Sequence, residues 1–273
     1  TCSRSGHRFT AMIPLTTLLI CLACSILIMT ALWAYQKRSG FPAIVDVAWA
    51  FTTGGIGLTL CINAQGSPAR RAVAAALILA WGLRLGFHLA KRFGRNPVDR
   101  RYVAMKERWG EKAERFMLGF FMLQALAAVI FALPILSAAT GETSSVPILT
   151  IGLVLSVGGM IGVTISDRQL AGFVHQQANK GKICRVGLWS WSRHPNYFFE
   201  WLTWTGFAVL ASDGPLWYIG LGGMLLMLLL LLKVTGIPHV EREALRKRGD
   251  AWIEYQRETS VFIPLPPRKR TSE

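Results

Sequence analysis

Residues 189–201 gather polar side chains that could bind a ligand at the start of an apolar segment. Pro195 suits the first turn of a helix, where a missing N–H costs nothing, so a helix is predicted to begin there. Asn196 and Glu200 are then neighbours on one face of that helix, because they are four residues apart. Glu200 falls about one turn into the apolar segment, where a carboxylate is costly and usually marks a functional site.

Arg193 and His194 stand just before this predicted helix. Backbone N–H groups and the positive end of the helix dipole meet at a helix N-terminus, which favours binding of a phosphate. Alternatively, the Arg and Trp side chains of this stretch anchor the chain at the level of the lipid headgroups. That alternative leaves Asn196 and Glu200 unexplained, so we expect a ligand site here.

Asp167 and Tyr102 are weaker candidates. Asp167 is predicted to end the fifth apolar helix, where the helix dipole disfavours a carboxylate. It either pairs with the adjacent Arg168 or accepts a hydrogen bond from a ligand hydroxyl or amide. Tyr102 follows Asp99 in a basic loop, and we interpret it as a surface residue.

A second group of ionisable residues lies within apolar segments. Asp46 is near the start of the second segment, and Arg84 and His88 are four apart on the third. An acid beside an arginine or a histidine in a membrane is a plausible proton-handling pair. The alternative, a structural ion pair between helices, is equally compatible with the sequence.

The composition indicates a membrane protein. The chain is 52% hydrophobic and 16% charged, whereas soluble proteins carry about 25% charged residues. A net charge of +15 would suggest nucleic acid in a soluble protein. Here the basic residues fall in short loops between apolar runs, which indicates a topology signal and contact with anionic membrane lipids rather than nucleic acid. Cys21 and Cys24 lie inside an apolar run, so we interpret them as packing residues and predict no metal site.

About seven segments approach the roughly 20 apolar residues that a membrane helix needs. The sequence therefore predicts an all-α, multi-pass membrane protein that forms one domain over residues 1–273. The sixth segment is short, so it is expected to tilt, to begin in the interface or to be re-entrant. The predicted segments are 11–35, 41–64, 72–90, 116–139, 146–165, 197–211 and 216–234.

The basic residues also predict the orientation. Lys and Arg are concentrated in loops 91–115 and 168–193 and in the tail, while loops 140–145 and 212–215 have none. Cytoplasmic loops carry the excess of Lys and Arg, so the N-terminus is expected outside and the C-terminus in the cytosol. Arg70 and Arg71 then fall on the outer side, against this rule.

The tail shows helical spacing in 239–248 and 251–257, with Gly249 as a stop and Asp250 as an N-cap. Such an amphipathic tail helix could lie on the membrane or close over a cytosolic pocket.

Several motifs resemble the steroid 5-alpha-reductase family. They are Ser166-Asp167, Arg193-His194-Pro195-Asn196-Tyr197, Glu200-Trp201, Glu254-Tyr255 and Ile263-Pro264. The likeness to the steroid reductases proper covers about the last hundred residues. The motif Asp46-Val47-Ala48-Trp49 extends the resemblance to the N-terminal half, and over nearly its full length the chain resembles an uncharacterised bacterial branch of that family.

This resemblance implies a seven-helix membrane fold that binds NADPH from the cytosolic side, mainly through residues 166–257. The cofactor-binding residues that it implies are Asp167, Lys182, Arg193, His194, Asn196, Tyr197, Glu200 and Tyr255. Steroid reductases also carry a Gln-Glu pair and a Tyr that polarise the substrate carbonyl. The Gln-Glu pair is not found here, and the expected Tyr region is Phe87-His88-Leu89. Asp46, Arg84 and His88 are our candidates for the catalytic role on position alone.

The expected activity is NADPH-dependent reduction of a carbon–carbon double bond in an apolar substrate dissolved in the membrane. An acid such as Asp46 or His88 would polarise the carbonyl or deliver a proton.

The scaffold also resembles isoprenylcysteine carboxyl and phospholipid methyltransferases, which hold S-adenosylmethionine with an Arg-His-Pro-x-Tyr core. The Ser166-Asp167 pair and the Asn196–Glu200 spacing favour the reductase. A transporter is disfavoured, because the acidic residues cluster at the cytosolic mouth of the predicted site and not near the bilayer midplane in a broken helix pair. In a bacterium the protein would lie in the cytoplasmic membrane, with its site open to the cytosol.

Overall fold

The computed structural model describes residues 14–95, 98–142 and 145–268, and these residues form helices without a strand. Short 3-10 turns join some of the helices. The α-helices are α1 (Leu15–Ser39), α2 (Ile44–Asn63), α3 (Pro68–Arg95), α4 (Arg100–Trp109), α5 (Ala113–Ala139), α6 (Val146–His175), α7 (Pro195–Ala211), α8 (Trp217–Leu229), α9 (Ile237–Arg248) and α10 (Asp250–Glu258).

The all-α membrane fold is confirmed. Within the described residues, six helical segments are long and apolar enough to cross a membrane. The sixth predicted segment, 197–211, forms α7, whose 17 residues fall short of the roughly 20 that a spanning helix needs. The six segments are Leu15–Ser39, Ile44–Asn63, Pro68–Arg95, Arg100–Ala139, Val146–His175 and Trp217–Arg248.

The chain divides into two compact units that alternate along the sequence. Unit 1 comprises residues up to Leu149 together with Leu210–Gly220, and unit 2 comprises Thr150–Val209 and the chain from Leu221 onward. Each unit therefore combines segments that are distant in sequence.

Helix α2 packs against α3 and α5 inside unit 1. Two glycines face each other where it crosses α3: a Cβ atom built on Gly54 would lie 3.2 Å from the Cα of Gly82. Beside this crossing, the Trp49 ring meets the edges of Trp81 and Phe131, at centroid distances of 5.9 and 5.7 Å. Small residues bring the helix backbones together, and the aromatic rings fill the space next to them.

Three loops of unit 1 meet at one end of its helices. The Gly141 N–H donates to the Gln65 carbonyl (3.1 Å), and the Ser67 N–H donates to the Gly141 carbonyl (2.9 Å). Arg70 is buried and forms an ion pair with Asp213 at 2.5 Å. The α2–α3, α5–α6 and α7–α8 loops therefore lie on the same side, as the predicted topology requires.

This end of unit 1 accounts for the two arginines that oppose the charge rule. The charge of Arg70 is compensated by Asp213, and its Nε also donates to the Ala138 carbonyl at 3.3 Å. Arg71 donates to the carbonyls of Cys61 and Ile62 at the end of α2. Cations near a helix C-terminus are stabilised by the carbonyl dipoles, so these two side chains have a structural function.

In unit 2, α6 and α7 approach closely along a row of small residues on α6. A Cβ atom on Gly159 would lie 2.6 Å from the Thr203 nitrogen and 2.7 Å from the Phe199 carbonyl oxygen. The Ser156 hydroxyl donates to the Thr203 carbonyl at 3.3 Å. The buried small residues of this row are Gly152, Ser156, Gly159, Gly162 and Ser166. The row fixes the position of α7 along α6.

The tail forms the two predicted helices with one difference. Helix α8 ends in a π-helical turn, Leu230–Val234, and α9 and α10 then pack on each other through Ala244, Trp252 and Tyr255. Gly249, at a φ of 51°, separates the two helices, as expected. Asp250 is the first residue of α10 and not its N-cap, because Gly249 takes the cap position.

Candidate functional site

The start of α7 is held by the tail. Pro195 is the first residue of α7, as predicted. The N–H of Arg193 donates to the Ser260 carbonyl (2.8 Å), and the N–H of Leu265 donates to the Trp191 carbonyl (3.0 Å). The Ser192 hydroxyl donates to the Phe262 carbonyl (2.8 Å). The polypeptide that precedes α7 therefore owes its conformation largely to residues 255–265.

Glu241 connects α9 to the same segment. One carboxylate oxygen accepts from Arg193 Nε and lies at hydrogen-bond distance from His194 Nε2, both at 2.8 Å. The other oxygen accepts from Trp252 Nε1 at 3.1 Å and from the Gln256 amide. Sequence reasoning missed Glu241. The available signal was its position three residues before Ala244, on the buried face of α9.

Arg193 and His194 are both buried, so neither forms the open phosphate site that the sequence suggested. Besides Glu241, Arg193 donates through Nη1 to the carbonyls of Gln256 (3.1 Å) and Thr259 (2.6 Å). The His194 ring stacks on Tyr197, with centroids 5.5 Å apart and planes 9° apart. These contacts give both residues partners within unit 2.

Asp167 and Asn196 are brought together by the α6–α7 contact. The Asn196 side-chain amide donates to Asp167 Oδ1 at 3.4 Å. Asp167 does not end its helix, which was the expectation, because α6 continues to His175. It therefore lies two turns before the helix end and projects beside α7. Both side chains are only half-buried, so a ligand could reach them.

Glu200 follows Asn196 by one turn on α7. Its Oε1 accepts a hydrogen bond from the indole Nε1 of Trp204 at 3.2 Å, and Trp204 is completely buried. The carboxylate itself is half-buried. Asp167, Asn196 and Glu200 thus supply amide and carboxylate oxygens, which accept hydrogen bonds from hydroxyl and amide donors.

Two further predicted residues lie in different settings. Lys182 is exposed in the connection between α6 and α7. Tyr255 is buried, and its hydroxyl donates to the main-chain carbonyls of Trp189 and Ser192. Burial raises the pKa of Tyr255 above its usual range, so the phenol stays a neutral donor. In the structure, Tyr255 fixes the segment before α7.

The catalytic candidates of the sequence analysis belong to unit 1. Asp46 accepts from the Tyr102 hydroxyl at 2.6 Å and pairs with Arg101 at 2.7 Å. These partners come from α4, and pairing of Asp46 with Arg84 or His88 stays a prediction. Tyr102 is buried rather than superficial, because α4 packs its phenol against α5 and turns its charged face outward.

A small pocket opens beside Asp46. Asp99 accepts hydrogen bonds from Arg101 (2.8–3.2 Å) and pairs with Arg92 at 2.8 Å. Burial opposes ionisation of Asp99, but the Arg101 hydrogen bonds outweigh it, and the pKa of Asp99 is lowered. The pocket is lined by Ala43, Asp46, Leu89, Arg92, Phe93 and Asp99. A polar group at this point would meet charges of both signs.

A comparison with protein families gives a match over most of the chain. A family model described as "Protein of unknown function (DUF1295)" matches residues 32–259. The chain belongs to the DUF1295 family. The matched range covers the Asp46 cluster, α7 and the tail helices α9 and α10. Among curated proteins and among solved structures, none matches this DUF1295 chain.

Proposed function

We propose that this DUF1295 protein is an NADPH-dependent reductase of a carbon–carbon double bond in an apolar, membrane-dissolved substrate. The observation that carries the proposal is the contact between Asp167 and Asn196, at 3.4 Å, with Glu200 one turn along α7. These are the positions at which the resemblance to steroid 5-alpha-reductases implies contact with the cofactor. Six apolar membrane segments suit a substrate that reaches the protein through the bilayer.

The residues of unit 2 fit the chemistry of this cofactor. A nicotinamide carboxamide and ribose hydroxyls donate hydrogen bonds, and Asp167, Asn196 and Glu200 offer half-buried acceptors for them. The phosphates need cations, and Lys182 is exposed in the loop before α7. NADPH supplies the hydride, while the protein orients the reacting groups and excludes water.

The proton donor is proposed among the ionisable residues of α2 and α3. Asp46 or His88 remains the proposed acid. Asp46 accepts hydrogen bonds from Tyr102 and Arg101, and of these two partners only the Tyr102 hydroxyl can pass on a proton, because arginine stays protonated in proteins. If the protein is bacterial, it is proposed to lie in the cytoplasmic membrane with its cofactor site facing the cytosol, because the loop before α7 is basic.

Substitutions on α7 test the cofactor site. Glu200→Gln should weaken NADPH binding by about 1.5–3 kcal/mol, the range for a hydrogen bond that involves a charged group, and Asn196→Ala by about 0.5–1.5 kcal/mol, the range for a neutral one. The measurement is the NADPH dissociation constant of the purified protein, taken together with the thermal stability of each ligand-free variant. Asn63→Ala is the matched control, because Asn63 is exposed and donates only within α2, to the Thr59 carbonyl.

Two results would count against the proposal. If Asn196→Ala and Asn63→Ala bind NADPH equally well, α7 does not contact the cofactor. If Glu200→Gln loses stability without ligand yet keeps its affinity, Glu200 forms a structural contact and does not belong to the site.

A further inference from the structure

Glu241 occupies a position from which it cannot bind a ligand directly. Its two oxygens already serve four groups: Arg193, His194, Trp252 and Gln256. A carboxylate has about four acceptor positions, so all of them are in use. A side chain in this state acts on a ligand site only through the groups that it holds.

Two of those groups, Arg193 and His194, stand just before the first turn of α7. Arg193 and His194 precede Pro195 directly, and the next residue is Asn196. The other two partners, Trp252 and Gln256, lie on α10. Glu241 therefore ties α9, α10 and the start of α7 together with charge-assisted hydrogen bonds, which are the stronger kind.

Burial makes this connection sensitive to substitution. The side chain of Glu241 is 14% exposed, and those of Arg193 and His194 are 10% and 3% exposed. Removing the charge of Glu241 would leave the Arg193 guanidinium without its counter-ion in a site that water hardly reaches, which is costly. The segment before α7 would then have to move to find new partners.

We propose that Glu241 is a positioning residue. It holds the Arg193–His194 segment in place, and this segment in turn positions Asn196 in the ligand site on α7. Glu241 also fixes the orientation of the histidine ring, because the His194 Nε2 lies 2.8 Å from the carboxylate oxygen, which can only accept a hydrogen bond. The effect on ligand binding rests on the proposed function, whereas the effect on the segment does not.

The test compares Glu241→Gln with Glu243→Gln. Glu243 is the matched control, because it lies on the same helix and forms only surface ion pairs with Arg246 (3.1 Å) and Lys247 (3.4 Å). Hydrogen–deuterium exchange of residues 189–194 is measured in the full-length, ligand-free protein. Glu241→Gln should speed exchange in this segment, and Glu243→Gln should leave it unchanged. Equal exchange in the two variants overturns the inference, whether or not the protein binds NADPH.

The NADPH dissociation constant provides the second readout. Glu241→Gln should weaken binding by about tenfold at a temperature at which the variant is folded, and the Glu243→Gln value should equal that of the wild type. Combining Glu241→Gln with His194→Gln should give less than the sum of the two effects, because both act through one contact. A folded Glu241→Gln variant with wild-type affinity overturns the effect on the site.

Two outcomes separate the inference from the proposed function. If the wild type binds no NADPH, the proposed function fails, and the exchange experiment still decides on Glu241. If Glu241→Gln does not fold, Glu241→Asp replaces it, since it keeps the charge but shortens the reach to Arg193 and His194. Faster exchange in residues 189–194 of Glu241→Asp supports the inference, and wild-type exchange contradicts it.

Discussion

Single side chains in unit 2 divide into those bound to the tail and those accessible to a ligand. Arg193 donates to Glu241 and to two tail carbonyls, so its charge is compensated within the protein. Lys182 is exposed in the loop before α7. A 2′-phosphate on a bound cofactor would therefore find its cation at Lys182 rather than at Arg193.

Lys182→Ala should weaken NADPH binding more than NADH binding, because only NADPH carries the 2′-phosphate. The loss should be about 1 kcal/mol, or roughly fivefold, since solvent screens an exposed charge pair. Dissociation constants for both cofactors measure it, with Lys180→Ala, an exposed neighbour in the same loop, as the control. An equal loss for NADPH and NADH would exclude a role at the 2′-phosphate.

Local sequence predicts some of these residues and not others. The helix start at Pro195 and the shared face of Asn196 and Glu200 follow from helix geometry and hold in the structure. The partner of Arg193 does not follow, because Glu241 and Glu243 look alike in sequence. Only the packing of α9 decides that the first is buried and the second forms surface ion pairs.

The distance between helices α6 and α7 is set by a glycine on α6. Gly159 faces the α7 backbone at Thr203, whereas the adjacent Gly158 faces open space. The sequence shows the regular spacing of small residues on α6, but it does not show which helix packs against them. This crossing determines whether Asp167 and Asn196 come within hydrogen-bond distance.

Gly159→Ala should destabilise the protein by about 1–3 kcal/mol, because the added methyl group overpacks the crossing with α7. Gly158→Ala should be neutral or stabilising by up to about 1 kcal/mol, since alanine is the better helix former. Thermal unfolding in detergent compares the two variants. If both are equally stable, α6 and α7 do not cross at Gly159.

For the whole molecule, the all-α fold and its apolar membrane segments follow from hydropathy, and the side on which each loop lies stays a prediction from loop charge. What the sequence did not explain was Arg70, which opposes the charge rule. Its ion pair with Asp213, 143 residues away, depends on the meeting of two loops and is invisible to a count of charges.

Reporter fusions should show the loops after Gln65 and Thr140 on the same side of the membrane, because their backbones are hydrogen-bonded to each other. A fusion at the C-terminal end of the chain should report the opposite, cytosolic side. Fusions after Gln65 and Thr140 on different sides would contradict the fold of unit 1. A C-terminal fusion on the same side as Thr140 would contradict the helix count.

The central claim, that this DUF1295 protein uses NADPH, is tested most directly by the stability of the wild-type protein with added ligand. The free energy of unfolding is compared without ligand, with NADPH and with S-adenosylmethionine. A ligand at a hundred times its dissociation constant should add about 2.7 kcal/mol. We expect this gain with NADPH and none with S-adenosylmethionine. A gain with S-adenosylmethionine alone would contradict it and would identify the chain as a membrane methyltransferase instead.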